Sequence, residues 1–393
     1  MKIAVCQSNP IIGDLKGNSE KILYRYKQAV ADGADIVIFP ELFLCGYPPL
    51  DLVEKKEFRE AVKKTANEIA LQTGKVGLIF GTITEDYEDN VGTGVYNSAA
   101  LCYDGKIQFV QNKTLIPNYD VFDEVRYFES AKDVFVHEFM GEKLGISICE
   151  DIWNDADYWK HRRYTTDPVQ KLVDDGATLL INISASPYAY GKRKEKFNML
   201  SVLTKTDKLP LVYVCCVGAQ TELIFDGGSM CLDSSGKLLL LGKTFEEDYF
   251  IFDSKKNYSE IKEVESSFEE EVLNALILGM KDYANKTGFK KALVGLSGGI
   301  DSAIVTYIAV KAFGAQNVHV IMMPSKYSSE GSVKDSEKLI ANLGITSENI
   351  SIQPVVDKAF EMLKESFKGK DEDVTEENLQ SRIRGIYLMA FSN

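Results

Sequence analysis

The sequence predicts a mixed α/β fold that is divided into two domains. Short β-rich runs alternate with helical segments along the first part of the chain, which is typical of layered α/β domains. A polar and charged stretch, Ser254–Glu260, with Ser266–Ser267 shortly after it, indicates a linker. At 393 residues the chain is long enough for two hydrophobic cores. We therefore place the domains at residues 1–258 and 259–393.

The first domain is expected to be a sandwich of sheets and helices. Its strands are predicted from short apolar runs, at Lys2–Cys6, Ile36–Phe39, Val76–Thr82, Tyr96–Tyr103, Leu144–Ile148, Leu179–Ile183 and Leu211–Val217. Its helices are predicted at about 18–32, 55–73 and 192–208.

The second domain is expected to hold a parallel sheet with helices on both faces. The predicted elements alternate between helix and strand, at Phe268–Thr287, Ala292–Gly295, Ala303–Ala312, Val318–Met323 and Val333–Leu343. An acidic run, Gly369–Glu377, is expected to be a solvated surface loop.

Composition and charge narrow the class of protein. Hydrophobic residues make up 45% of the chain and charged residues 26%, as in an ordinary globular enzyme. A net charge of −13 without a basic cluster argues against a nucleic-acid partner. No apolar run approaches the ~20 residues of a membrane helix. The run after Lys2 is too short for a signal peptide, and seven cysteines without paired spacing indicate reduced thiols. We expect a cytoplasmic protein that spans no membrane.

A glycine-rich turn, Leu296–Ser302, carries the most specific chemical signal of the second domain. It stands between a predicted strand and a predicted helix, with the sequence Leu-Ser-Gly-Gly-Ile-Asp-Ser. Bare backbone N–H groups, hydroxyl donors and the positive end of a helix dipole suit it to a phosphate. The Lys-Ser/Thr pair of a Walker A loop is absent, which argues against γ-phosphate chemistry. The alternative is a βα turn that binds no ligand. Because Asp301 and Ser302 keep register with both glycines, we favour an ATP site.

Three reactive side chains lie in the first domain, far apart in sequence. Cys149 ends an apolar strand, Glu41 follows another, and Lys113 follows the strand-like run Gln108–Val110. Together they could perform acyl transfer, with a thiol nucleophile, a carboxylate base and a cation for the oxyanion. Taken singly, each is more often a small buried hydrophobe or a surface charge. A Cys–His arrangement is the other option and has less support, since none of the three histidines is near Cys149 in sequence; they are His137, His161 and His319.

The segments around these three residues resemble the nitrilase-type glutaminase domain, in content and in order. They are Phe39–Pro49, Lys113–Glu124 and Ser147–Asp151. The resemblance implies a nitrilase-like α-β-β-α sandwich in which Cys149 is the nucleophile, Glu41 the general base and Lys113 the partner of the oxyanion. It also implies contacts with glutamine from Tyr47, Tyr119, Phe122, Glu150 and Ser186. An acidic side chain suits the α-ammonium group of glutamine, and aromatic rings suit its aliphatic stem.

The glycine-rich turn resembles the pyrophosphate loop of the N-type ATP pyrophosphatases. Their domain is a doubly wound parallel sheet of the adenine nucleotide α hydrolase-like kind. A nitrilase-like domain followed by such a domain resembles the glutamine-dependent NAD synthetases along nearly the whole chain. The resemblance implies ATP contacts from Leu296, Ser297, Gly298, Gly299, Asp301, Ser302, Met323 and Ser325, with Asp301 also a Mg²⁺ ligand. It implies deamido-NAD contacts from Asn378, Arg382 and Arg384; the alternative for the two arginines is a plain helix surface.

The chemistry implied by the resemblance joins the two domains. ATP adenylates the nicotinate carboxylate of deamido-NAD, Mg²⁺ offsets phosphate charge, and ammonia released from glutamine displaces AMP. Free ammonia is mostly protonated near neutral pH, so a source beside the adenylate raises its effective concentration. The resemblance also implies a homo-oligomer, and a further strand and loop of the type TGNKSE after residue 393. We therefore expect the second domain to be incomplete at its C-terminus and its ATP site to lack part of its wall.

Two other functions account for part of the sequence. One is a stand-alone amidase of the nitrilase superfamily, with a degenerate nucleotide-binding module as its C-terminal half. The other is a non-enzymatic nucleotide sensor or scaffold, which ranks last because both reactive groups of residues would then be idle.

Overall fold

The computed structural model describes residues 1–86, 92–262, 267–368 and 373–393. These residues form two compact units, Met1–Ala275 and Leu276–Asn393. Two sequence predictions fall partly outside the described residues. They are the linker, where residues 263–266 are not described, and the acidic loop, where residues 369–372 are not.

The first unit is built on two six-stranded sheets. Its strands are β1 (Lys2–Gln7), β2 (Ile36–Ile38), β3 (Gly77–Glu85), β4 (Val95–Tyr103), β5 (Lys106–Asn112), β6 (His137–Phe139), β7 (Glu142–Ile148), β8 (Leu179–Ser184), β9 (Leu211–Cys215), β10 (Val217–Gln220), β11 (Leu223–Asp226), β12 (Met230–Leu232), β13 (Leu238–Leu241) and β14 (Asp248–Asp253). One sheet has the order β14-β1-β2-β3-β4-β5 and the other the order β13-β12-β9-β8-β7-β6, while β10 and β11 form a separate hairpin.

The helices of this unit cover the outer faces of the two sheets. They are α1 (Leu15–Ala31), α2 (Lys56–Ala70), α3 (Pro168–Asp174) and α4 (Lys192–Asp207). Ile22 and Val62 of α1 and α2 pack in one outer core, and Leu172 and Leu200 of α3 and α4 pack in the other. A third core lies between the sheets, with Val5 and Ile146 among its fully buried members. The layers are therefore α-β-β-α, which confirms the predicted sandwich.

The central strands are mainly apolar on both faces, and this influences where charged groups lie. β1, β2 and β3 run parallel in one sheet, and β7, β8 and β9 run parallel in the other. Because both faces of such strands are covered, side chains that need polar partners collect where the strands end. Glu41 comes three residues after β2, and Cys149 comes directly after β7.

The second unit contains a three-stranded parallel sheet between two layers of helices. After α5 (Phe268–Thr287), which crosses the division between the units, come β15 (Ala292–Leu296), α6 (Ile300–Phe313), β16 (Val318–Met322), α7 (Glu330–Leu343), β17 (Thr346–Asn349), α8 (Gln353–Leu363) and α9 (Val374–Ser392). The strand order is β15-β16-β17. One core holds Ala309 of α6, and the other holds Val356 and Ile383 of α8 and α9. Helices on both faces of a parallel sheet confirm the predicted architecture.

The acidic run at 369–377 is not a loop throughout, contrary to the sequence prediction. Helix α9 begins at Val374, and Asp373 is its N-cap. The Asp373 carboxylate accepts a hydrogen bond from Thr375 N at 2.8 Å, and Glu376 accepts one from Asp373 N at 2.6 Å. These two residues form a capping box, and acidic side chains in a first turn are stabilised by the helix dipole. The acidic residues from Asp373 onward therefore lie at the start of a helix.

Among the helices of the described residues, none is both long enough and apolar enough to cross a bilayer.

Candidate active site

Cys149 and Glu41 stand on sharp turns at the ends of strands from the two different sheets. Cys149 opens a short 3₁₀ turn, Cys149–Ile152, and its own φ is 45°. Leu42, directly after Glu41, also has a φ of 45°. A non-glycine residue in this left-handed region costs on the order of 1–3 kcal/mol and persists only where the surroundings enforce it. The surrounding structure must therefore hold both turns in this conformation, and the turns in turn set the directions of the Cys149 and Glu41 side chains.

Lys113 joins two carboxylates in the buried centre of the site. Its Nζ donates to Glu41 Oε1 at 2.8 Å and to both oxygens of Glu124 at 2.9 Å. Lys113 and Glu41 are fully buried, and Glu124 is 5% exposed. Tyr47 OH donates to Glu124 Oε1 at 2.9 Å. Buried charges are tolerated only when they are paired and hydrogen-bonded, and this cluster meets that condition.

The surroundings shift the pKa values of Lys113, Glu124 and Cys149. Burial by itself would lower the pKa of the Lys113 ammonium, but Glu124 and Glu41 raise that pKa well above its usual value. Burial raises the pKa of the Glu124 carboxyl, against the opposing effect of Lys113. Burial, followed by the charge of Glu41, raises the pKa of the Cys149 thiol, and Lys113 opposes the rise. The resting thiol is therefore protonated and needs a base to become a nucleophile.

Asp151 connects the turn of the nucleophile to the segment that carries Lys113. Its Oδ2 accepts a hydrogen bond from Ile148 N at 3.0 Å. Its Oδ1 accepts from Thr114 N at 3.0 Å and from Leu115 N at 2.7 Å. One carboxylate therefore holds the residue before Cys149 and the two residues after Lys113.

A cavity of about 550 Å³ opens at Cys149. Its walls are aromatic and charged, and it is lined by Tyr119, Asp120, Phe122, Cys149, Glu150, Trp153, Trp159, His161, Arg163, Ser186, Lys192 and Glu195. Glu150 is held there by hydroxyl donors, from Tyr119 at 2.8 Å and Tyr164 at 3.1 Å. The Arg163 guanidinium lies 3.6 Å from the centre of the Tyr119 ring. A pocket with an anion, cations and flat apolar walls suits a small zwitterion.

Four of the five residues predicted to contact glutamine line this cavity together with Cys149. They are Tyr119, Phe122, Glu150 and Ser186. Tyr47 is not among the lining residues: it is 3% exposed, and its hydroxyl donates to Glu124, which also accepts from Lys113. Glu41 and Lys113 are fully buried and are not among the residues that line the cavity.

Several polar residues of the site were not predicted from the sequence. Lys192 lines the cavity as the first residue of α4, and burial, followed by the nearby Lys196, lowers its pKa. Glu124 and Asp151 lie inside the segments that carry the resemblance, so their acidic character next to apolar residues was a usable signal. Asn97 gave no such signal, since it is one polar residue within β4.

The predicted phosphate loop of the second unit is folded as a turn before helix α6. Ser297 and Ser302 hydroxyls lie 3.0 Å apart, and Ser302 Oγ donates to Gly299 O at 3.0 Å. Gly298 has a φ of 85°, and a Cβ at this position would collide with the carbonyl oxygen of Ser332. Only glycine fits there. The turn leaves the N-terminus of α6, with Asp301 in its first turn, exposed.

Two cavities in the second unit adjoin this turn and the segment after β16. One, of about 430 Å³, includes Leu296, Ser297, Met323 and Arg384 in its wall. The other, of about 540 Å³, includes Ser325 and shares Arg384. Gly298, Gly299, Asp301 and Ser302 belong to the turn and the start of α6, not to these two walls.

The predicted deamido-NAD residues on α9 separate into two groups. Arg384 reaches the cavities, and its Nε donates to Met323 O at 3.2 Å. Arg382 instead donates to Asn378 O, one turn earlier in the same helix, at 3.3 Å, and both residues are exposed. Among the described residues, no group of three or more His, Cys, Asp and Glu side chains could hold a metal ion by itself.

Comparisons with known proteins identify both units. A family model described as carbon-nitrogen hydrolase matches residues 2–260, and one described as NAD synthase matches residues 272–393. A glutamine-dependent NAD(+) synthetase from Synechocystis sp. is 41% identical over 399 aligned positions, which cover 100% of this chain and 72% of that protein. The chain belongs to the glutamine-dependent NAD(+) synthetases. A synthetase of the same name from Thermotoga maritima is 38% identical, again over 100% of this chain and 72% of its own length.

Solved structures agree with this family assignment. A glutamine-dependent NAD⁺ synthetase from Acinetobacter baumannii, in complex with ADP, matches with a TM-score of 0.92 and 36% identity, over 100% of this chain and 72% of that chain. An amidase from Nesterenkonia sp. matches with a TM-score of 0.55 and 21% identity, over 64% of this chain and 92% of that one. At that identity the amidase supports the fold of the first unit alone.

Proposed function

We propose that the first unit hydrolyses glutamine at Cys149 and that the ammonia amidates deamido-NAD, which the second unit activates with ATP. The observation that carries this proposal is the buried cluster of Glu41, Lys113 and Glu124 next to a thiol at the end of a polar cavity. The names of the similar synthetases support the same reaction. They favour it over a stand-alone amidase.

The cavity walls suit glutamine at each of its functional groups. Glu150 supplies an anion for the α-ammonium group, and Lys192 supplies a cation for the α-carboxylate. The rings of Tyr119 and Phe122, whose centres are 5.5 Å apart, flank the aliphatic stem. Ser186 adds a hydroxyl for polar contact. Tyr47 acts indirectly in this account, through its hydrogen bond to Glu124.

The first half of the reaction makes a thioester and releases ammonia. Glu41 takes the proton from Cys149 Sγ as the sulfur attacks the side-chain carbonyl carbon of glutamine. The carbonyl electron pair moves to oxygen, and the ammonium of Lys113 stabilises the negative charge. When the pair returns, the C–N bond breaks and the nitrogen leaves with the proton from Glu41. Water then attacks the thioester, aided by Glu41, which releases glutamate and restores the thiol.

The second half of the reaction makes the amide. A nicotinate carboxylate oxygen attacks the α-phosphorus of ATP, pyrophosphate leaves, and ammonia then displaces AMP from the acyl carbon. The turn at Ser297–Ser302 and the N-terminus of α6 offer donors for the phosphates. Mg²⁺ is commonly held by one or two carboxylates together with substrate phosphates, so the exposed Asp301 fits as its ligand. When bound, the ion neutralises phosphate charge. Arg384 is the residue of α9 best placed for deamido-NAD.

We also propose a cytoplasmic location and a homo-oligomeric state. All seven cysteines are free thiols, which supports a reducing compartment. Three apolar side chains on the first turns of α6 are exposed, Ile300 by 72%; the others are Ile304 and Val305. Exposed apolar side chains of this kind support association with another copy.

The test is a synthesis assay with amide-¹⁵N glutamine, deamido-NAD and ATP. We expect ¹⁵N in the NAD product and AMP as the nucleotide product. Cys149→Ala should lose synthesis from glutamine and keep synthesis from added ammonium, because only the source of nitrogen is removed. Cys231→Ala, a change at another fully buried cysteine, should keep both. ADP as the product, or full glutamine-driven synthesis by Cys149→Ala, would contradict the proposal.

A further inference from the structure

The hydrogen bonds to Glu41 are unequally divided between its two oxygens. Oε1 accepts from Lys113 Nζ at 2.8 Å and from Asn97 Nδ2 at 2.7 Å. Among the residues that the structure describes, Oε2 accepts one hydrogen bond, from Ala185 N at 2.7 Å. A carboxylate oxygen has about two lone-pair sites. Both sites of Oε1 are therefore filled, whereas Oε2 keeps one for a further proton.

Asn97 is held in this orientation at a cost. It is fully buried in β4, and its Oδ1 has no hydrogen-bond partner within the described part of the chain. With the amide reversed, Oδ1 would face Glu41 Oε1, acceptor against acceptor. The backbone of Asn97 also contributes, because its carbonyl oxygen accepts from Lys113 N at 2.8 Å. A native structure that leaves a buried acceptor unpaired generally does so for a reason.

We propose that Asn97 is a positioning residue that fixes the atom of proton transfer. Asn97 and Lys113 together fill Oε1 of Glu41, so the proton of the Cys149 thiol goes to Oε2. This inference rests on the proposed hydrolysis of glutamine. The S–H bond breaks and an O–H bond forms at Oε2 as sulfur attacks the carbonyl carbon. The same proton passes to the leaving nitrogen when the C–N bond breaks, which returns Glu41 to its ionised form.

The same hydrogen bond also bears on how the rate of hydrolysis depends on pH. The groups that face Glu41 are Lys113 and Glu124, together with Cys149, Tyr47 and Cys216. A donor to the ionised carboxylate favours that form. Replacing Asn97 removes such a donor from Oε1 of Glu41. The acid limb of the pH–rate profile should move to higher pH.

Two substitutions at Asn97 distinguish its role as a hydrogen-bond donor from a role in filling space. Asn97→Ala removes the amide, and Asn97→Asp keeps its shape but replaces the donor with an oxygen. We expect both to lower kcat for glutamine hydrolysis by about 10- to 100-fold, as for a hydrogen bond to a charged group. KM should change by less than about 2-fold, because Asn97 does not line the cavity. Asn97→Asp should lose at least as much activity as Asn97→Ala, and both should shift the acid limb upward.

Ser98→Ala is the matched control on the same strand. Ser98 is fully buried, but its hydroxyl bonds to Thr84 and Asn112 rather than to Glu41. It should keep the wild-type pH profile. Melting temperatures show whether each variant is folded. If Asn97→Ala is not folded, Asn97→Ser replaces it, since the serine hydroxyl is too short to reach Oε1 and the same shift is expected.

The outcomes separate this inference from the proposed function. An acid limb that stays in place, with Asn97→Asp milder than Asn97→Ala, would mean that Asn97 only fills space and would overturn the inference. Wild-type protein that neither hydrolyses glutamine nor is labelled at Cys149 by a diazo-ketone glutamine analogue would instead overturn the proposed function.

Discussion

Lys113 and Asp151 divide the work of holding the first site together. Lys113 neutralises two buried carboxylates directly. Asp151 has a positioning role instead, because its carboxylate binds three backbone N–H groups on the turns that carry Cys149 and Lys113. Removing one partner of a buried ion pair typically costs about 3–5 kcal/mol of stability. The charged cluster therefore supplies the reactive groups of the site, and its buried ion pairs are also needed for the site to fold.

Asp151→Asn tests whether Asp151 acts by positioning the turns that carry Cys149 and Lys113. The asparagine oxygen can accept from only one of the two turns, and its NH₂ group would face backbone N–H donors on the other. We expect kcat for glutamine hydrolysis to fall by about 10- to 100-fold, as for a small misplacement of reacting groups, with little change in KM. Steady-state kinetics check this. A rise in KM of similar size, with kcat unchanged, would mean that Asp151 serves substrate binding instead.

The same substitution should alter how stability depends on pH. Burial raises the pKa of the Asp151 carboxyl from 3.8 to about 7, against the opposing backbone N–H groups. Between these values the folded chain binds the proton more tightly than the unfolded chain does. The contribution of Asp151 to the free energy of unfolding therefore falls as pH rises from 3.8 to about 7, and it is constant above that.

Asp151→Asn removes this titration. The free energy of unfolding of the variant, relative to the wild type, should thus rise by on the order of 3–4 kcal/mol across that window. Urea unfolding at several pH values measures it. A difference that does not change with pH would contradict the assignment of a titrating Asp151.

At the scale of elements, strand β3 fixes the turn that carries Glu41. Gly81 N donates to Pro40 O at 3.1 Å, and Leu44 N donates to Gly81 O at 3.1 Å. A Cβ at Gly81 would collide with the backbone of Leu42 and Glu41. The strand and the turn can therefore lie against one another only because residue 81 has no side chain.

Gly81→Ala should accordingly disturb the base without touching the cavity. We expect a loss of at least about 10-fold in glutamine hydrolysis, since the Glu41 backbone must move, and a lower melting temperature. Gly74→Ala is the control, because a Cβ there meets nothing within 4 Å. Unchanged hydrolysis by Gly81→Ala, with its melting temperature also unchanged, would show that the contact does not position Glu41.

The elements also show what sequence reasoning can and cannot reach. Most long strands and helices were predicted, because apolar periodicity over many residues is a strong signal. Strands such as β6, β12 and β13 have three or four residues, too few for any period to be visible. Helix α9 was not among the predicted elements, and its acidic first turn was assigned to a solvated loop. Boundaries depend on caps and tertiary contacts more than on local pattern.

The candidate site divides in the same way. Cys149, Glu41 and Lys113 were predicted, since each lies in a distinctive segment at the end of an apolar run. Asn97 was not, because its role comes from a contact with a residue 56 positions away. Such a contact depends on the packing of β4 against the turn after β2. A single polar residue in a strand does not predict it.

At the scale of the whole molecule, the chain carries two different chemistries in two units. Each unit has its own cores and its own cavities. The first holds a thiol with a buried base and cation, and the second holds a glycine turn at a helix N-terminus. A source of ammonia and a site that activates a carboxylate are of most use together, because ammonia at neutral pH is mostly protonated. This accounts for both units in one chain.

The most direct test of this account is the labelling of Cys149 by a diazo-ketone analogue of glutamine, followed by intact mass and peptide mapping. We predict one adduct per chain, on Cys149, which glutamine suppresses by competition. Glu41→Gln should slow labelling strongly, because the thiol then lacks its base. Gly298→Ala, which alters the second unit and none of the residues around Cys149, should label at the wild-type rate. Labelling spread over other cysteines, or an unchanged rate in Glu41→Gln, would contradict the central claim that Cys149 is a nucleophile activated by Glu41.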